Sequence, residues 1–209
     1  MWRLPPDTIA EAPSTSQVEL SELTESLLQR PKRADARRNY DGLLEAARDA
    51  FAELGGGASL EEIARRADVG IGTLYRHFPT RQALIEAVYV EEVAALARSA
   101  EDLVALEPWQ ALVGWYERFV QYALRKRVLI AELVEDGRTD NDTFRRCRVE
   151  LRAAGEPLLQ RAKDAGVVRP DANYEDVARM VAAIAMTPVD AEQVQRMLEL
   201  ALDGLRYRA

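Results

Sequence analysis

The sequence predicts an all-α protein of 209 residues with about nine helices. Apolar residues recur at helical spacing from Asp35 onward, and glycine or proline divides this pattern into segments of helical length. No stretch shows the alternation of apolar and polar residues, rich in β-branched side chains, that a sheet requires. The length and the 48% hydrophobic content indicate one globular unit, or a small domain joined to a larger one.

The first helix is predicted from Asp35 to Leu54, where the three glycines at 55–57 stop it. Its apolar face consists of Tyr40, Leu43, Leu44, Ala47, Phe51 and Leu54. Residues 1–33 are rich in Pro, Ser, Thr and Glu, so we expect a largely disordered acidic tail that ends in a basic arm.

Two short helices are predicted next. Ser59 and Glu62 have the spacing of a capping box, in which the serine hydroxyl accepts one unpaired N–H and the glutamate reaches back to another. Gly70 interrupts the pattern and is expected to take the positive φ of a tight turn. The second short helix covers residues 71–78 and ends at Pro79.

The later helices have clear start and stop signals. Thr80 caps one, Pro108 suits the first turn of another, Gly166 closes a long one, and Asp190 with Gln193 opens the last. They are predicted over residues 80–103, 108–123, 128–135, 144–162, 174–186 and 190–207.

Composition excludes several classes of protein. The chain has one cysteine, Cys147, and one histidine, His77, which can form neither an internal disulfide nor a clustered His/Cys metal site. We see no apolar stretch of the roughly 20 residues that a spanning helix needs and no secretory leader. The expected location is therefore the cytoplasm, with no membrane partner.

The charge is unevenly distributed along the chain. A net charge of −7 is, taken over the whole chain, unfavourable for binding phosphates. However, residues 30–38 hold five basic residues and one acidic residue, whereas residues 1–29 hold one basic and five acidic. The positive charge is thus concentrated just before the first helix, and the acidic total does not exclude nucleic acid.

The two short helices and their turn have the outline of a helix-turn-helix. The second helix begins with small residues, where a helix N-terminus would meet base edges, and continues with Tyr, Arg and His, where phosphates would lie. Residues 59–84 (SLEEIARRADVGIGTLYRHFPTRQAL) resemble the DNA-binding domain of the TetR family of bacterial transcriptional regulators. The resemblance covers about residues 38–85, including the GTLYRHF core and the Thr-Arg-x-x-Leu start of the following helix.

This resemblance implies a set of DNA contacts. Gly70, Ile71, Gly72 and Thr73 would face base edges, while Tyr75, Arg76 and His77 would contact phosphates. Ser59, Thr80 and Arg81 would place helix starts against phosphates, with Arg81 standing where relatives often carry lysine. An arm formed by Lys32, Arg33, Arg37 and Arg38 would add contacts to the minor groove or backbone.

Two of these assignments have structural alternatives. His77 could be a packing residue beside Tyr75 and Phe78, and the basic run from Arg30 to Arg38 could be only a solvated linker.

Residues 96–209 resemble, more weakly, the C-terminal domain of a TetR subgroup, which implies dimerisation through the last two helices and a small-molecule cavity. The predicted dimer interface comprises Met180, Ile184, Val194, Met197, Leu198, Ala201 and Leu205. Predicted pocket residues are Trp109, Trp115, Tyr116, Phe119, Tyr122, Phe144, Cys147, Leu151, Met180 and Ile184, although plain core is the alternative for each. We expect Cys147 to be a buried small hydrophobe rather than a redox sensor.

The predicted protein is a homodimeric repressor that binds a palindromic operator in double-stranded DNA. Its domains would be the tail (residues 1–33), the DNA-binding domain (34–95) and a regulatory and dimerisation domain (96–209). No cofactor is expected, whereas an unidentified small-molecule effector is. An activator of the same family, a helical enzyme and a protein-interaction module are the alternatives, and no catalytic motif supports the enzyme.

Overall fold

The computed structural model describes Leu28, residues 30–134 and residues 142–206. This part is all-helical, as predicted, and apart from one isolated bridge between Val168 and Arg206 it contains no β-structure. Its helices are α1 (Ala34–Leu54), α2 (Leu60–Arg66), α3 (Ile71–His77), α4 (Arg81–Ser99), α5 (Pro108–Val134), α6 (Asp142–Asp164), α7 (Tyr174–Met186) and α8 (Ala191–Asp203). Short 3₁₀ turns occupy Gly55–Gly57 and Glu101–Leu103. Apart from Leu28 and the residues from Arg30 onward, the predicted disordered tail lies outside the described residues.

The prediction of two helices over 108–123 and 128–135 is wrong, because α5 runs without a break from Pro108 to Val134. The four residues between them include neither glycine nor proline, and leucine, arginine and lysine are strong helix formers. The described residues therefore form eight α-helices instead of nine.

α4 connects the two halves of the molecule. It packs against α1 and also against α5 and α6. Most of its buried residues are aliphatic, but Glu92 is buried too and accepts a hydrogen bond of 2.6 Å from the Arg125 guanidinium on α5. One continuous core extends through the described residues from Leu28 to Leu205. A displacement of α4 would therefore change the packing in both halves of the molecule.

The close approach of α5, α6 and α7 depends on Gly155. A methyl group at this position would lie 2.5 Å from Trp115 Nε1 and 2.5 Å from Tyr174 Cε2. Tyr174, at the start of α7, also donates a hydrogen bond of 2.8 Å to the Leu151 carbonyl oxygen of α6. Gly155 thus permits two large aromatic side chains to meet against the backbone of α6.

The described helices include none that is both long and apolar enough to cross a membrane. In the same part of the chain, no group of His, Cys, Asp and Glu residues has the arrangement of a metal site. Cys147 is fully buried, and burial raises the pKa of its thiol to about 12. The thiol therefore stays protonated at neutral pH and lacks the reactivity of a thiolate.

We predict that Gly155→Ala destabilises the protein by about 1–3 kcal/mol, because the added methyl overpacks the contact between Trp115 and Tyr174. Urea unfolding followed by circular dichroism measures the change. Gly42→Ala in α1 is the matched control, because its methyl group would meet nothing within 4 Å. This control should be neutral or stabilising by up to about 1 kcal/mol, and equal stability of the two variants would contradict the prediction.

Candidate nucleic-acid interface

The turn between α2 and α3 fixes the geometry of the helix-turn-helix. Val69 N donates to the Ala64 carbonyl at 3.0 Å and Asp68 N to the Arg65 carbonyl at 3.2 Å, which is the Schellman arrangement. The left-handed residue is Asp68, with φ 53°, whereas Gly70 has φ −70°. The prediction that Gly70 takes the positive φ is therefore wrong, since the helix stop lies two residues earlier and Asp tolerates this conformation.

Half of the predicted capping box is present at the start of α2. Ser59 Oγ accepts a hydrogen bond of 3.1 Å from Glu62 N, as expected. The Glu62 carboxylate does not reach back but accepts from the Arg65 and Arg66 guanidiniums, which lower the pKa of Glu62 to about 2. Arg66 also pairs with Glu53 of α1 at 2.9 Å, so this one arginine links α2 to α1.

α3 buries one side and exposes the other. Leu74 is fully buried, and Phe78 just beyond the helix end is also in the core. Ile71 and Tyr75, one turn apart, are 37% and 47% exposed. Gly70, Gly72 and Arg76 are exposed with them, whereas Thr73 is only partly exposed. The residues predicted to face base edges thus share the outer surface of α3 with Tyr75 and Arg76.

Two glycines lie at the start of α3. Gly70 is the N-cap, a position that glycine suits, and Gly72 lies in the first turn. A methyl group on Gly70 or Gly72 would meet nothing within 4 Å, and neither residue has a positive φ. Glycine inside a helix lowers helix stability relative to alanine, so neither packing nor backbone conformation explains Gly72. The absence of a side chain there would let another molecule approach the backbone of α3 closely.

His77 packs against aromatic rings at the end of α3. Its ring centroid lies 5.8 Å from that of Tyr40 on α1, and the Tyr40 ring is also 4.9 Å from Phe78. Partial burial, together with the charge of Arg76, lowers the pKa of His77, so the imidazole is mostly neutral at neutral pH. This geometry favours the packing alternative for His77 over a charge contact with phosphate.

The start of α4 has one exposed and one inward-directed residue. Thr80 is exposed and accepts a hydrogen bond of 3.0 Å from Ala83 N. The Arg81 guanidinium lies 5.1 Å from the Phe51 ring centroid and donates to the Ala58 carbonyl oxygen. Arg81 thus ties α4 to α1 and to the segment before α2, and its predicted phosphate contact stays a prediction.

The basic run from Arg30 to Arg38 divides into two groups. The predicted arm residues Lys32, Arg33, Arg37 and Arg38 are exposed, and Arg38 pairs with Asp35. The Arg30 guanidinium instead pairs with Glu91 of α4 at 2.5 Å and with Asp41 of α1 at 3.5 Å. The sequence did not distinguish Arg30 from the rest of this run, because partners as distant in sequence as Glu91 leave no local signal.

In the larger half, the predicted pocket residues form an aromatic region of the core. Trp115, Tyr116, Phe119, Tyr122, Phe144, Cys147, Leu151 and Ile184 are all buried, whereas Met180 is exposed and Trp109 lies under the Arg206 guanidinium at 4.4 Å. Tyr89 of α4 was missed, although its hydroxyl lies 3.3 Å from that of Tyr122. Among the described residues, the buried Tyr116 hydroxyl finds no hydrogen-bond partner.

The residues predicted at the dimer interface occupy different environments. Ile184, Val194, Leu198 and Leu205 are buried within the protomer. Met180 is exposed, and Met197 and Ala201 are partly exposed. Leu200 on α8, which was not among the predicted residues, is 73% exposed. The predicted interface residues that stay exposed or partly exposed in the protomer are thus Met180, Met197 and Ala201.

A capped helix-turn-helix that presents an exposed, glycine-containing second helix defines a DNA-binding protein. Residues 43–88 match the family model described as bacterial regulatory proteins of the tetR family, and residues 107–207 match the C-terminal domain of SbtR-like transcriptional regulators.

Several transcriptional regulators are similar to this protein along most of its chain. The TetR regulator SCO0520 from Streptomyces coelicolor is 42% identical, with a TM-score of 0.70 over 81% of this chain and 99% of its own. A TetR regulatory protein from Mycobacterium vanbaalenii is 35% identical, with a TM-score of 0.67 over 85% of this chain and 100% of its own. UidR from Escherichia coli K12 is 27% identical over 180 residues, 82% of this chain and 91% of its own. The chain belongs to the TetR family of DNA-binding transcriptional regulators.

We predict that Gly72→Ala separates stability from DNA binding. The methyl group has free space in the protein and favours the helix, so the free energy of unfolding should stay equal or rise by up to about 1 kcal/mol. Affinity for a selected operator duplex, measured by fluorescence anisotropy, should fall about tenfold or more if the backbone of α3 lies close to bases. Gly42→Ala, with equal free space, should leave affinity unchanged. Unchanged operator affinity of Gly72→Ala would contradict this assignment.

Proposed function

We propose that the protein is a ligand-responsive repressor that binds a pseudo-palindromic operator as a homodimer. The observation that carries this proposal is the exposed outer face of α3, where Gly70 and Gly72 have no side chains that would keep another molecule away from the helix backbone. Two such helices, one from each protomer, would enter successive major grooves. In this proposal Ile71 and Thr73 contact base edges, and Tyr75 and Arg76 contact phosphates.

Charge supports a particular mode of binding. Residues 30–86 carry only a small surplus of positive charge, and the salt pairs of Arg66 and Arg30 use part of it inside the fold. Binding driven mainly by counterion release would therefore be weak. We infer that affinity depends on the fit of α3 and on the spacing of two half-sites, so that nonspecific binding is modest.

The proposed dimer forms through α7 and α8. Exposed apolar side chains remain on both helices in the protomer, with Met180 and Met186 on α7 and Leu200 on α8. Ala183 is exposed on α7 as well, and a small residue there permits close approach of a second helix. A large apolar side chain such as Leu200 is a natural centre for such a contact.

An effector would act through the aromatic core of the larger half. The unpaired Tyr116 hydroxyl provides a polar group among apolar walls, which is the usual composition of a small-molecule site. α4 packs against this region and against α1, so a ligand that favours one position of α4 would alter the spacing of the two α3 helices. Operator affinity then falls by the ratio of the ligand's affinities for the two conformations. In this arrangement α4 joins a DNA-binding domain at 34–95 to a regulatory domain at 96–209.

Selection of duplexes from a random DNA pool tests the proposal. We expect a palindromic consensus with a fixed half-site spacing, bound by two protomers. Leu200→Glu should yield a folded monomer in sedimentation analysis and lose selective binding, because one half-site contributes too little affinity. Val104→Glu, at a residue 57% exposed outside the helices, is the matched control and should stay dimeric. Absence of a consensus, or full binding by a monomeric Leu200→Glu protein, would refute the proposal.

The Tyr116 hydroxyl yields a separate prediction for the ligand-free protein. A buried hydroxyl without a partner costs about 1–3 kcal/mol, so Tyr116→Phe should be neutral or stabilising by about 1 kcal/mol in urea unfolding. Tyr174→Phe is the control, because it removes a hydroxyl that donates to the Leu151 carbonyl and should destabilise by about 1 kcal/mol. Clear destabilisation by Tyr116→Phe would show that the fold itself uses this hydroxyl, so that it is not free to bind an effector.

A further inference from the structure

The segment just before α1 is fastened to the helix-turn-helix. Leu28 is 2% exposed and belongs to the core, and its carbonyl oxygen accepts a hydrogen bond from the Tyr40 hydroxyl of α1. Two residues further on, the Arg30 guanidinium joins Asp41 of α1 to Glu91 of α4. We call Leu28 and Arg30 the N-terminal strap.

The N-terminal strap contacts Tyr40, the α1 residue against which the end of α3 packs. The Tyr40 ring packs against His77, the last residue of α3, and against Phe78, which follows it. A tyrosine ring whose hydroxyl is fixed by a buried carbonyl has less freedom to move than one held by ring packing alone. The Leu28 carbonyl and the recognition helix are therefore connected through a single side chain.

A cleft lies between α1 and α4 beside the strap. It has a volume of about 270 Å³, is partly open to solvent and is lined by Arg30, Asp41, Leu44, Glu45, Arg48, Val88, Glu91 and Glu92. Most of these residues are charged, so polar links contribute to the relative position of the two helices there. Arg30 provides such a link across this cleft, and its side chain is only 22% exposed, so water and salt screen the pair less than a surface pair.

We propose that Tyr40 and the N-terminal strap are positioning residues for operator recognition, which they serve by holding α3 at the angle that base contacts require. This inference rests on the proposed role of α3 in DNA binding. It also distinguishes Arg30 from the exposed basic residues beside it. Lys32 and Arg33 would add attraction for any DNA, whereas Arg30 acts within the protein and adds discrimination between DNA sequences.

The test compares two truncations that differ by three residues. One variant removes residues 1–27 and keeps the strap, and the other removes residues 1–30, each beginning with methionine. Two substitutions complete the set, Tyr40→Phe and Arg30→Gln. The measured quantity is selectivity, the ratio of dissociation constants for an unrelated duplex and for the selected operator. We expect the shorter truncation to keep wild-type selectivity, and the other three variants to lose about threefold to tenfold, the equivalent of one hydrogen bond or ion pair.

Two control variants separate positioning from charge and from stability. Lys32→Gln removes the same charge as Arg30→Gln from an exposed site, so it should weaken binding to both duplexes equally. Leu158→Ala removes core packing in α6, far along the chain from the strap, and should lower the melting temperature without changing selectivity. The inference is overturned if Tyr40→Phe and Arg30→Gln retain wild-type selectivity, or if Leu158→Ala loses it to the same extent.

A readout without DNA keeps this inference distinguishable from the proposed function. Hydrogen exchange at the amides of Leu74 and Phe78, which donate to the Gly70 and Leu74 carbonyls, reports how firmly α3 is held. We expect faster exchange there in Tyr40→Phe and in the longer truncation, but not in Lys32→Gln. Unchanged exchange would refute the positioning role. A wild-type protein that selects no operator, despite faster exchange in these variants, would refute the proposed function alone.

Discussion

The packing of α3 on α1 is the contact on which the proposed DNA recognition depends. α3 has seven residues, follows the N-cap Gly70 and contains Gly72, so it is far too short to be stable as an isolated helix. Its position comes from Leu74 and Phe78, which are buried against the rest of the helix-turn-helix, and from the aromatic contacts of Tyr40. Because tertiary contacts define the helix, whatever moves α1 also moves the surface that we propose faces DNA.

α4 extends this dependence to the other half of the molecule. On the side of α4 that faces α1, the apolar residues Leu44 and Val88 lie beside the ion pair of Glu91 with Arg30. Its contacts with α5 and α6 include the ion pair of buried Glu92 with Arg125 and the hydroxyl pair of Tyr89 and Tyr122. Because the Glu92 carboxylate is buried, it depends on the Arg125 guanidinium for interactions that water would otherwise provide. α4 therefore connects the aromatic core of the larger half to the helix-turn-helix through polar contacts as well as apolar packing.

Local sequence signals predicted most of the fold, and distant contacts account for what they missed. Caps and stops such as Ser59, Thr80, Asp190 and Gly166 act within a few residues, so helix starts and ends were recognisable. The outer face of α3 was predicted for the same reason. Arg30 and Gly155 were not recognised, because their partners are brought together only by folding. Apolar periodicity on α8 identified residues such as Val194 and Leu198. Periodicity alone does not indicate whether the protomer itself or a second protomer covers such residues.

An acidic DNA-binding protein must obtain its specificity from geometry more than from charge. Arg66 and Arg30 lie in the helix-turn-helix region, yet the fold uses each of them internally, Arg66 with Glu53 and Glu62, and Arg30 with the two helices it joins. Such pairs reduce the protein's nonspecific attraction to DNA, because phosphates are present in every DNA sequence. They also hold the relative position of α1, α2 and α4, which sets the orientation of α3. In the proposed mode of binding, the pairing of these arginines therefore lowers nonspecific affinity and improves discrimination between operators, because a rigidly oriented helix tolerates fewer base sequences than a mobile one.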